Sequence, residues 1–448
     1  MPGSPTAIAR TAANERLRLL LQEARWSGGD LARAVNAVAA ETGIVLEYRR
    51  ASVAQWLAGS RPRPPVPELV AEALSRRLGR PVGRTEAGFA EAVARAGEGA
   101  LDDLRRLHEL GRGPRRELAA QCVYRTAELA VPDWARAVAE LVPVPSGGTR
   151  TIGGAEITAL RSIVHTCSSA ERSLGAGHVR PAAVDHLSVT VLPWLSARTS
   201  GELVRRELFG LASDLAYLCG FLCFDDELQG AAQRYYRSAL DLAAHSGDRG
   251  RYARALRAMS VQAHELGHRQ AAADLAEVAV ATAPEEGRAF HLGQLALARA
   301  GLGQREEALR LLGETERCLD RHAGGGTVGI YHRASFAHQS AAVLHRLGDR
   351  DGAVTALKTS LRCRPDAEYR SRLMTQATLT EYLLNGGQVE EAAAHWRGFL
   401  DGYPLVRSSR ARAKLVELRA RFRPHQRAPE IRELLCRATD LHQNVLLP

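Results

Sequence analysis

Apolar residues recur at helical spacing through the first 85 residues, and this pattern predicts four short helices. The first is capped by Asn14 and runs through Ala24, and the second follows Ser27 and is stopped by Gly43. Their inward positions are Leu17, Leu20, Leu21, Leu31, Val35 and Val38. Four short helices around one small core predict an N-terminal domain over residues 1–85.

The third and fourth helices complete this domain. The third covers residues 52–58 and is ended by Gly59, with Val53, Trp56 and Leu57 facing inward. The fourth runs from Val66 to Leu78. Its inward positions are Val66, Leu69, Val70, Ala73 and Leu74.

The polar residues around the third helix are suited to contact DNA. If its apolar side is buried, its outward side can donate hydrogen bonds to phosphates or read base edges in the major groove. The outward positions are Arg49, Arg50, Ser52 and Gln55. Arg61 and Arg63 lie among prolines just beyond, where we expect them to contact the sugar–phosphate backbone. Residues 1–84 hold 13 arginines against 7 acidic residues, a local surplus typical of a DNA-binding surface.

The stretch SVAQWLAGSRPRPPVPELVAEAL resembles the repressor-type helix-turn-helix of phage and bacterial regulators. Val53, Trp56, Gly59 and the run Pro67-Glu68-Leu69 fall where that family's pattern has them. The resemblance implies that the outward positions of the third helix read bases. One departure is the connection GIVLEYR, from Gly43 to Arg49, which is longer than the usual turn and leaves the orientation of the third helix open. The alternative is a helical bundle with a solvated, arginine-rich face.

Residues 86–205 are interpreted as a connecting helical region. The chain from Ala87 to Leu141 reads as helix, with turns at Gly111–Pro114 and at Pro132. PVPSGGT, from Pro143 to Thr149, is a linker or a sharp break, and the apolar pattern is weak from there to Leu203.

Self-similarity dominates the remainder, residues 206–448. Four segments align on a glycine, with steps of 36, 45 and 39 residues, and an alanine follows five positions later in each. The glycines are Gly267, Gly303, Gly348 and Gly387, and the alanines are Ala272, Ala308, Ala353 and Ala392. A repeat of this length with a small residue at the helix crossing is typical of tetratricopeptide hairpins. The predicted fold is therefore all-α, a helix-turn-helix bundle followed by a helical-repeat solenoid.

The stretch VQAHELGH contains the H-E-x-x-H spelling of zinc hydrolases. A zinc site of that kind needs His264 and His268 on one continuous helix. Gly267 aligns with the turn glycines of the repeats, so we expect the helix to end between the two histidines. The sequence therefore predicts no metal site, and with no phosphate loop or nucleophile elbow it indicates a protein that is not an enzyme and needs no cofactor.

Two other groups of basic side chains are candidate sites. Arg172, His178 and Arg180 could line an anion or effector site, although solvated or capping roles are the simpler interpretation. The histidines His332 and His338, with His345, are interpreted as surface or packing residues, because His338 and His345 are two turns apart and His332 is out of phase with them.

A longer stretch carries a second resemblance. ERSLGAGHVRPAAVDHLSVTVLPWL and the following LFGLASDLAYLCGFLCFDDELQGAAQRYYRSALDLAAHSGD, together about Glu171 to Asp248, are similar to a family of actinobacterial regulators. Those proteins join an N-terminal helix-turn-helix to tetratricopeptide-like repeats. The resemblance implies transcriptional control and gives no ligand.

Composition adds little that is specific. The net charge is +10 and only two of the 60 basic residues are lysines, a bias that a GC-rich genome explains. The seven cysteines form no C-x-x-C pair, which argues against a disulfide framework or a cysteine zinc site. No secretory signal or uninterrupted membrane span is evident, so we expect a cytoplasmic location and no membrane partner.

These observations favour a DNA-binding transcriptional regulator. Its partners would be double-stranded DNA, a second copy of the chain as a homodimer, and a protein, peptide or small-molecule effector on the repeats. The alternative is a protein-interaction scaffold whose N-terminal bundle does not bind specific DNA.

Overall fold

The structure is a computed structural model that describes residues 13–41, 44–89, 100–111, 118–119, 121–145, 147, 149–321 and 331–444. It confirms the all-α, helical-repeat fold class. The chain forms two compact units. The N-terminal unit comprises Met1–Glu98, Glu109–Ala130 and Leu228–Ala231, and the repeat unit comprises Gly99–His108, Val131–Glu227 and Ala232–Pro448.

The N-terminal unit contains the four helices that the sequence predicts. They are α1 (Glu15–Ala24), α2 (Gly28–Glu41), α3 (Arg50–Leu57) and α4 (Val66–Leu78). Asn14 caps α1, because its side-chain oxygen accepts from the Leu17 N–H at 3.0 Å. Gly59 follows α3 with a φ of 100°, a left-handed conformation that suits glycine. The predicted stop at Gly43 lies outside the described residues.

One apolar core holds these helices together. It contains the predicted inward leucines and valines of α1, α2 and α4, together with Val53 and Trp56 of α3. A partly buried ionic network runs beside the core: Arg76 donates to Glu72 at 2.8 Å and to Glu41 at 2.6 and 2.8 Å. Burial alone would lower the pKa of Arg76, but its hydrogen bonds with the two carboxylates raise that pKa above the usual value.

Among the described residues, the prediction of helix from Ala87 to Leu141 is confirmed over Ala100–Gly111 and Trp134–Ala139 and is wrong over 87–89 and 122–125. The chain after α4 turns back without forming a helix, and Val82, Ala87 and Phe89 cover the N-terminal core. A helix α5 (Ala100–Gly111) is present, but residues 122–125 are irregular because Val123 packs into the same core. A 3₁₀ turn (Thr126–Leu129) and a short helix α6 (Trp134–Ala139) follow. In the irregular segments, packing of apolar side chains on the N-terminal core outweighs the helix propensity of the sequence.

The region of weak sequence pattern is nevertheless helical. It contains α7 (Gly154–Leu174), α8 (Ala176–Asp185), a π-helical stretch (His186–Val191) and α9 (Leu192–Leu195). Few positions of α7 are buried, which explains why its sequence shows no apolar stripe. The short strands Thr151–Ile152 and Arg198–Thr199 form a two-stranded parallel sheet.

Helical hairpins make up the rest of the repeat unit. Their helices are α10 (Glu202–Asp225), α11 (Gln229–Ser246), α12 (Arg249–Glu265), α13 (Arg269–Thr282), α14 (Arg288–Gly301), α15 (Arg305–Arg321), α16 (Arg333–Arg346), α17 (Arg350–Cys363), α18 (Tyr369–Asn385), α19 (Val389–Gly402), α20 (Ser409–Phe422) and α21 (Pro429–Asn444). Among the described helices, α10 alone is long and apolar enough to cross a membrane, but 78% of its apolar window is buried inside the protein. It is the core helix of the first hairpin, which makes its length weak evidence for a membrane span.

The glycine alignment of the repeats is confirmed by the backbone. Each aligned glycine lies in the left-handed region, with φ values of 85°, 78°, 85° and 76° for Gly267, Gly303, Gly348 and Gly387. In each turn the next residue donates its N–H to the carbonyl five positions earlier, at 2.8 to 3.0 Å. This is the Schellman arrangement, which ends one helix and begins the next. The alanines five positions after each glycine are fully buried.

Successive hairpins share their cores. One cluster joins side chains of α13, α14 and α15 to Val343 of α16. The next joins Ala341 of α16 and Leu357 of α17 to side chains of α18, α19, α20 and α21. Because both clusters include α16, each hairpin covers an apolar face of its neighbour, as a helical-repeat stack requires.

Candidate functional site

The short helix α3 has one buried and one exposed side. Val53 and Trp56 are buried and Leu57 is partly buried, as the sequence predicts. The exposed positions are Arg50, Ala51, Ala54, Gln55 and Ala58. An outward side that carries one guanidinium and one amide among alanines offers two long hydrogen-bonding groups and no bulky obstacle. That combination suits close approach of a helix to the floor of a DNA groove.

The long connection before α3 is anchored to the N-terminal core. Asn36 of α2 donates to the Tyr48 carbonyl oxygen and accepts from the Tyr48 N–H, both at 3.0 Å. Ile44, Leu46 and Tyr48 pack on the core, while the alternate positions Val45, Glu47 and Arg49 are exposed. The connection is therefore an extended segment of alternating pattern, and it delivers the chain into α3 in a fixed direction.

The predicted base-reading residues lie on α3 and immediately before it. Arg49, Arg50 and Gln55 are exposed on or beside α3. Ser52 is half-buried, and its Oγ lies 3.4 Å from the Arg49 nitrogen, so it faces the first turn of α3 more than the solvent. Arg61 and Arg63 are exposed in the segment between α3 and α4.

Several arginines of the unit are neutralised by carboxylates, but the arginines around α3 are not. Arg33, Arg76, Arg80 and Arg84 are each paired with a carboxylate. No residue in the described part of the chain forms an ion pair with the four arginines that flank α3. Those are Arg49, Arg50, Arg61 and Arg63. The positive charge at this surface is therefore not neutralised from within the unit.

Sequence reasoning missed the positioning residues of this surface. Asn36 and Tyr48 do not face outward, but they fix the segment that carries Arg49 and leads into α3. The signal for them was the alternation of apolar and polar residues over Ile44 to Arg49, which has the period of an extended strand.

The H-E-x-x-H stretch does not form one helix. Helix α12 ends at Glu265, Gly267 has a φ of 85°, and His268 stands before the first residue of α13. The His268 N–H donates to the Ala263 carbonyl oxygen at 2.8 Å, which closes the helix end. The two histidines therefore belong to different helices. His264 is a packing residue: its ring would lie only 2.9 Å from a Cβ placed on Gly301.

The other histidines of the repeats also have structural contacts. His332 Nε2 lies 2.9 Å from a Glu368 carboxylate oxygen, and His345 stacks on Tyr382 with centroids 3.8 Å apart. His338 Nδ1 lies 3.1 Å from the Thr375 hydroxyl. Burial lowers the pKa of His338 to about 4. These contacts agree with the packing role expected from their spacing.

The three basic residues near the start of the repeat unit separate in the structure. Arg180 donates to Asp226 at 2.7 Å, and His178 is exposed. Arg172 is half-buried, donates to the Ser169 hydroxyl at 3.2 Å and lines a large cavity. Only Arg172 of the three is therefore placed to meet a ligand in that cavity.

Comparisons with known proteins give one family match and likenesses to solved structures. The family description "SP15 N-terminal domain" matches residues 17–90, which include most of α1 and all of α2, α3 and α4. Among curated proteins, no sequence matches this chain. Among solved structures, a Rap protein complexed with competence and sporulation factor is similar over 65% of this chain and 99% of that chain, at 11% identity and a TM-score of 0.40. We draw no functional conclusion from a likeness of that level. Neither match names the actinobacterial regulators that the sequence resembles, so that resemblance stays a prediction.

Proposed function

We propose that this chain is a cytoplasmic transcriptional regulator that binds specific double-stranded DNA through α3 of its N-terminal unit. The observation that carries the proposal is the set of exposed arginines around α3 that have no acidic partner within the described residues. Desolvated arginine without a partner is costly, whereas exposed, unpaired arginine is available to phosphates and to guanine.

The roles of the individual residues follow from their positions. Arg50 and Gln55 lie on the exposed side of α3 and would contact base edges, because both side chains can form two hydrogen bonds with one base. Arg49, Arg61 and Arg63 flank the helix and would contact phosphates. Ser52, which is half-buried, would contribute a short contact to the backbone of the DNA at most.

The repeat unit would supply control and assembly. A single short helix buries little area on DNA, so two copies on adjacent half-sites would be needed for tight and specific binding. We place the homodimer contact and the effector site on the repeat unit, because stacked helical hairpins present extended surfaces for partners.

Selection from random duplexes tests the proposal. The full-length protein is incubated with a pool of random-sequence double-stranded DNA at about 100 mM salt, and bound duplexes are recovered and sequenced over successive rounds. The proposal predicts enrichment of one motif with two-fold symmetry. Recovery of duplexes without a common motif would contradict it.

The second candidate function is a protein-interaction scaffold. The helical-repeat fold favours it, since this fold binds proteins in the absence of any nucleic acid. It predicts that the selection yields no motif, while the full-length chain still forms a stoichiometric complex with a protein partner.

A further inference from the structure

A cavity of about 610 Å³ opens inside the repeat unit between α7 and the hairpin helices α10, α12, α14 and α18. Its volume is that of a site for a small organic molecule or a few residues of peptide. A neighbouring cavity of about 520 Å³ shares Asp214, Arg251, Arg254 and Phe290 with its wall. Both hollows are lined by residues of the repeat unit.

Arg257 of α12 is the unusual residue of the larger cavity. Its Nε donates to the Phe290 carbonyl oxygen at 2.8 Å, and its guanidinium carbon lies 3.6 Å from the centroid of the Phe290 ring. Phe290 thereby holds the guanidinium in place from two directions. No carboxylate in the described residues pairs with Arg257, and no described residue accepts a hydrogen bond from its two terminal nitrogens.

The environment of Arg257 disfavours its charge. Burial lowers the pKa of Arg257, with only tyrosine side chains acting against that effect. An arginine nonetheless stays protonated near neutral pH. Arg257 is partly buried and has no anion beside it among the described residues, an unfavourable arrangement that a bound anion would relieve.

Most other arginines of the cavity wall are already neutralised. Asp214 pairs with both Arg251 and Arg254. Arg370 pairs with Asp225 and lies 3.5 Å from a Glu171 oxygen. These arginines are part of the cavity wall, and their charges are neutralised by the protein's own carboxylates.

Arg172 of α7 is the second unneutralised cation on the cavity wall. Within the described chain it forms no ion pair, and its bond to the Ser169 hydroxyl leaves donors available. Arg172 and Arg257 belong to different helices of the same wall. The cavity therefore has a surplus of positive charge that its own carboxylates do not balance.

Aromatic side chains line the same space. Tyr217 and Phe221 of α10 and Phe290 of α14 all contribute to the wall. They can receive an apolar or aromatic group next to the cationic donors.

We propose that this cavity binds an organic ligand whose carboxylate pairs with Arg257 and whose apolar part packs on Tyr217, Phe221 and Phe290. The planar guanidinium, held by Phe290, presents its two terminal nitrogens as a fork that matches the two oxygens of a carboxylate. A phosphate dianion fits less well, because Asp214 and Glu368 line the same wall and would repel its second charge. The carboxylate can come from a free organic acid or from the C-terminus of a peptide.

Matched pairs of probes test the proposal in the full-length protein. One pair is N-acetyl-phenylalanine and its amide; the other is a pentapeptide of four glycines and a terminal phenylalanine, with a free or an amidated C-terminus. Each pair differs only in the carboxylate. Ligand-observed NMR measures binding up to about 10 mM, a range that includes weak complexes. The proposal predicts that at least one acid binds about tenfold or more tightly than its amide.

Variants assign the effect to the cavity. Arg257→Gln and Arg172→Gln should each weaken the acid, Arg257→Gln by about tenfold or more, while the exposed control Arg423→Gln should not. Arg172 is half-buried, so its variant keeps the test valid if Arg257→Gln fails to fold. If N-acetyl-phenylalanine binds more tightly than the pentapeptide acid, the ligand class is a small organic acid. If the pentapeptide acid binds more tightly, the ligand class is the C-terminus of a peptide. Equal binding of acids and amides, or no binding of either acid, would overturn the proposal. Because no DNA is involved, its failure is separable from that of the proposed DNA binding.

Discussion

Tyr48 packs edge to face against Trp56, with ring centroids 5.1 Å apart and an interplanar angle of 73°. This contact joins the connection before α3 to a buried aromatic side chain of α3 itself. Together with the two hydrogen bonds from Asn36, it fixes the direction in which the exposed side of α3 points. The unusual length of the connection therefore does not leave α3 loosely placed.

Substitution of Asn36 tests this anchoring. Asn36→Ala removes both hydrogen bonds to the Tyr48 backbone and leaves a partly buried N–H and carbonyl without partners. We expect the free energy of unfolding to fall by about 1–3 kcal/mol. Urea denaturation followed by circular dichroism measures it. Glu47→Ala, an exposed position of the same segment, serves as the control and should change little. Equal effects of the two substitutions would show that Asn36 anchors nothing.

Gly88 is a position where the N-terminal unit has no room for a side chain. Its φ is +78°, and a Cβ would lie 1.9 Å from the Asn14 Oδ1 that caps α1. Gly88→Ala should therefore cost about 2–3 kcal/mol, from backbone strain and loss of the cap. Gly83→Ala is the matched control, because nothing lies within 4 Å of its Cβ position. A comparison of their thermal midpoints checks the prediction, and similar midpoints would refute it.

Glu171 should make the stability of the repeat unit depend on pH. Burial raises the pKa of Glu171 to about 7, against the weaker attraction of Arg370, whose charge is shared with Asp225. Since the folded state binds the proton more tightly than the unfolded state, this group's contribution is fully present below the unfolded pKa of 4.5. It is lost as the pH rises through about 7.

Glu171→Gln isolates that contribution. The variant keeps the size of the side chain and cannot ionise, so it should lose less stability than the wild type between pH 5 and pH 8, by about 1–3 kcal/mol. Urea midpoints at several pH values measure the difference. The exposed Glu316→Gln should follow the wild type. If Glu171→Gln also follows the wild type, the carboxyl is ionised in the folded protein throughout this range.

Salt dependence distinguishes phosphate contacts from base contacts. Arg61→Ala with Arg63→Ala should weaken binding to every duplex by a similar factor. It should also reduce the slope of log affinity against log salt by about 2, because two fewer counterions are released. Fluorescence anisotropy over a range of salt concentrations gives the slope. The pair Arg423→Ala with Arg427→Ala removes the same charge from exposed positions of the repeat unit and should leave the slope unchanged.

Much of the secondary structure could be predicted from the sequence, because the local preferences of the residues agree with the packing of the fold. The cap at Asn14, the bounds of α4 and the left-handed glycines of the repeats each follow from residue types that suit one local geometry. The burial of Val53 and Trp56 followed from helical spacing alone. The separation of His264 from His268 could be derived because Gly267 occupies a turn position in each aligned repeat.

Other features depend on long-range packing. Residues 122–125 look helical in composition, yet Val123 is drawn into the N-terminal core and the segment is irregular. Helix α7 has few buried positions and therefore shows no stripe. The unpaired state of Arg257 depends on which carboxylates of distant helices come near it, and spacing along one chain does not encode that.

The most direct test of the account is the affinity of Arg50→Ala with Gln55→Ala for the duplex motif that the wild-type protein selects. Both positions are exposed, so the variant should fold, which circular dichroism verifies. The control is Arg423→Ala with Gln426→Ala, which makes the same exchanges at exposed positions of the repeat unit. We predict that the α3 variant binds the selected motif at least about tenfold more weakly and no longer prefers it to random DNA, while the control binds like the wild type. Unchanged affinity and preference in the α3 variant would contradict the assignment of α3 as the DNA-reading helix.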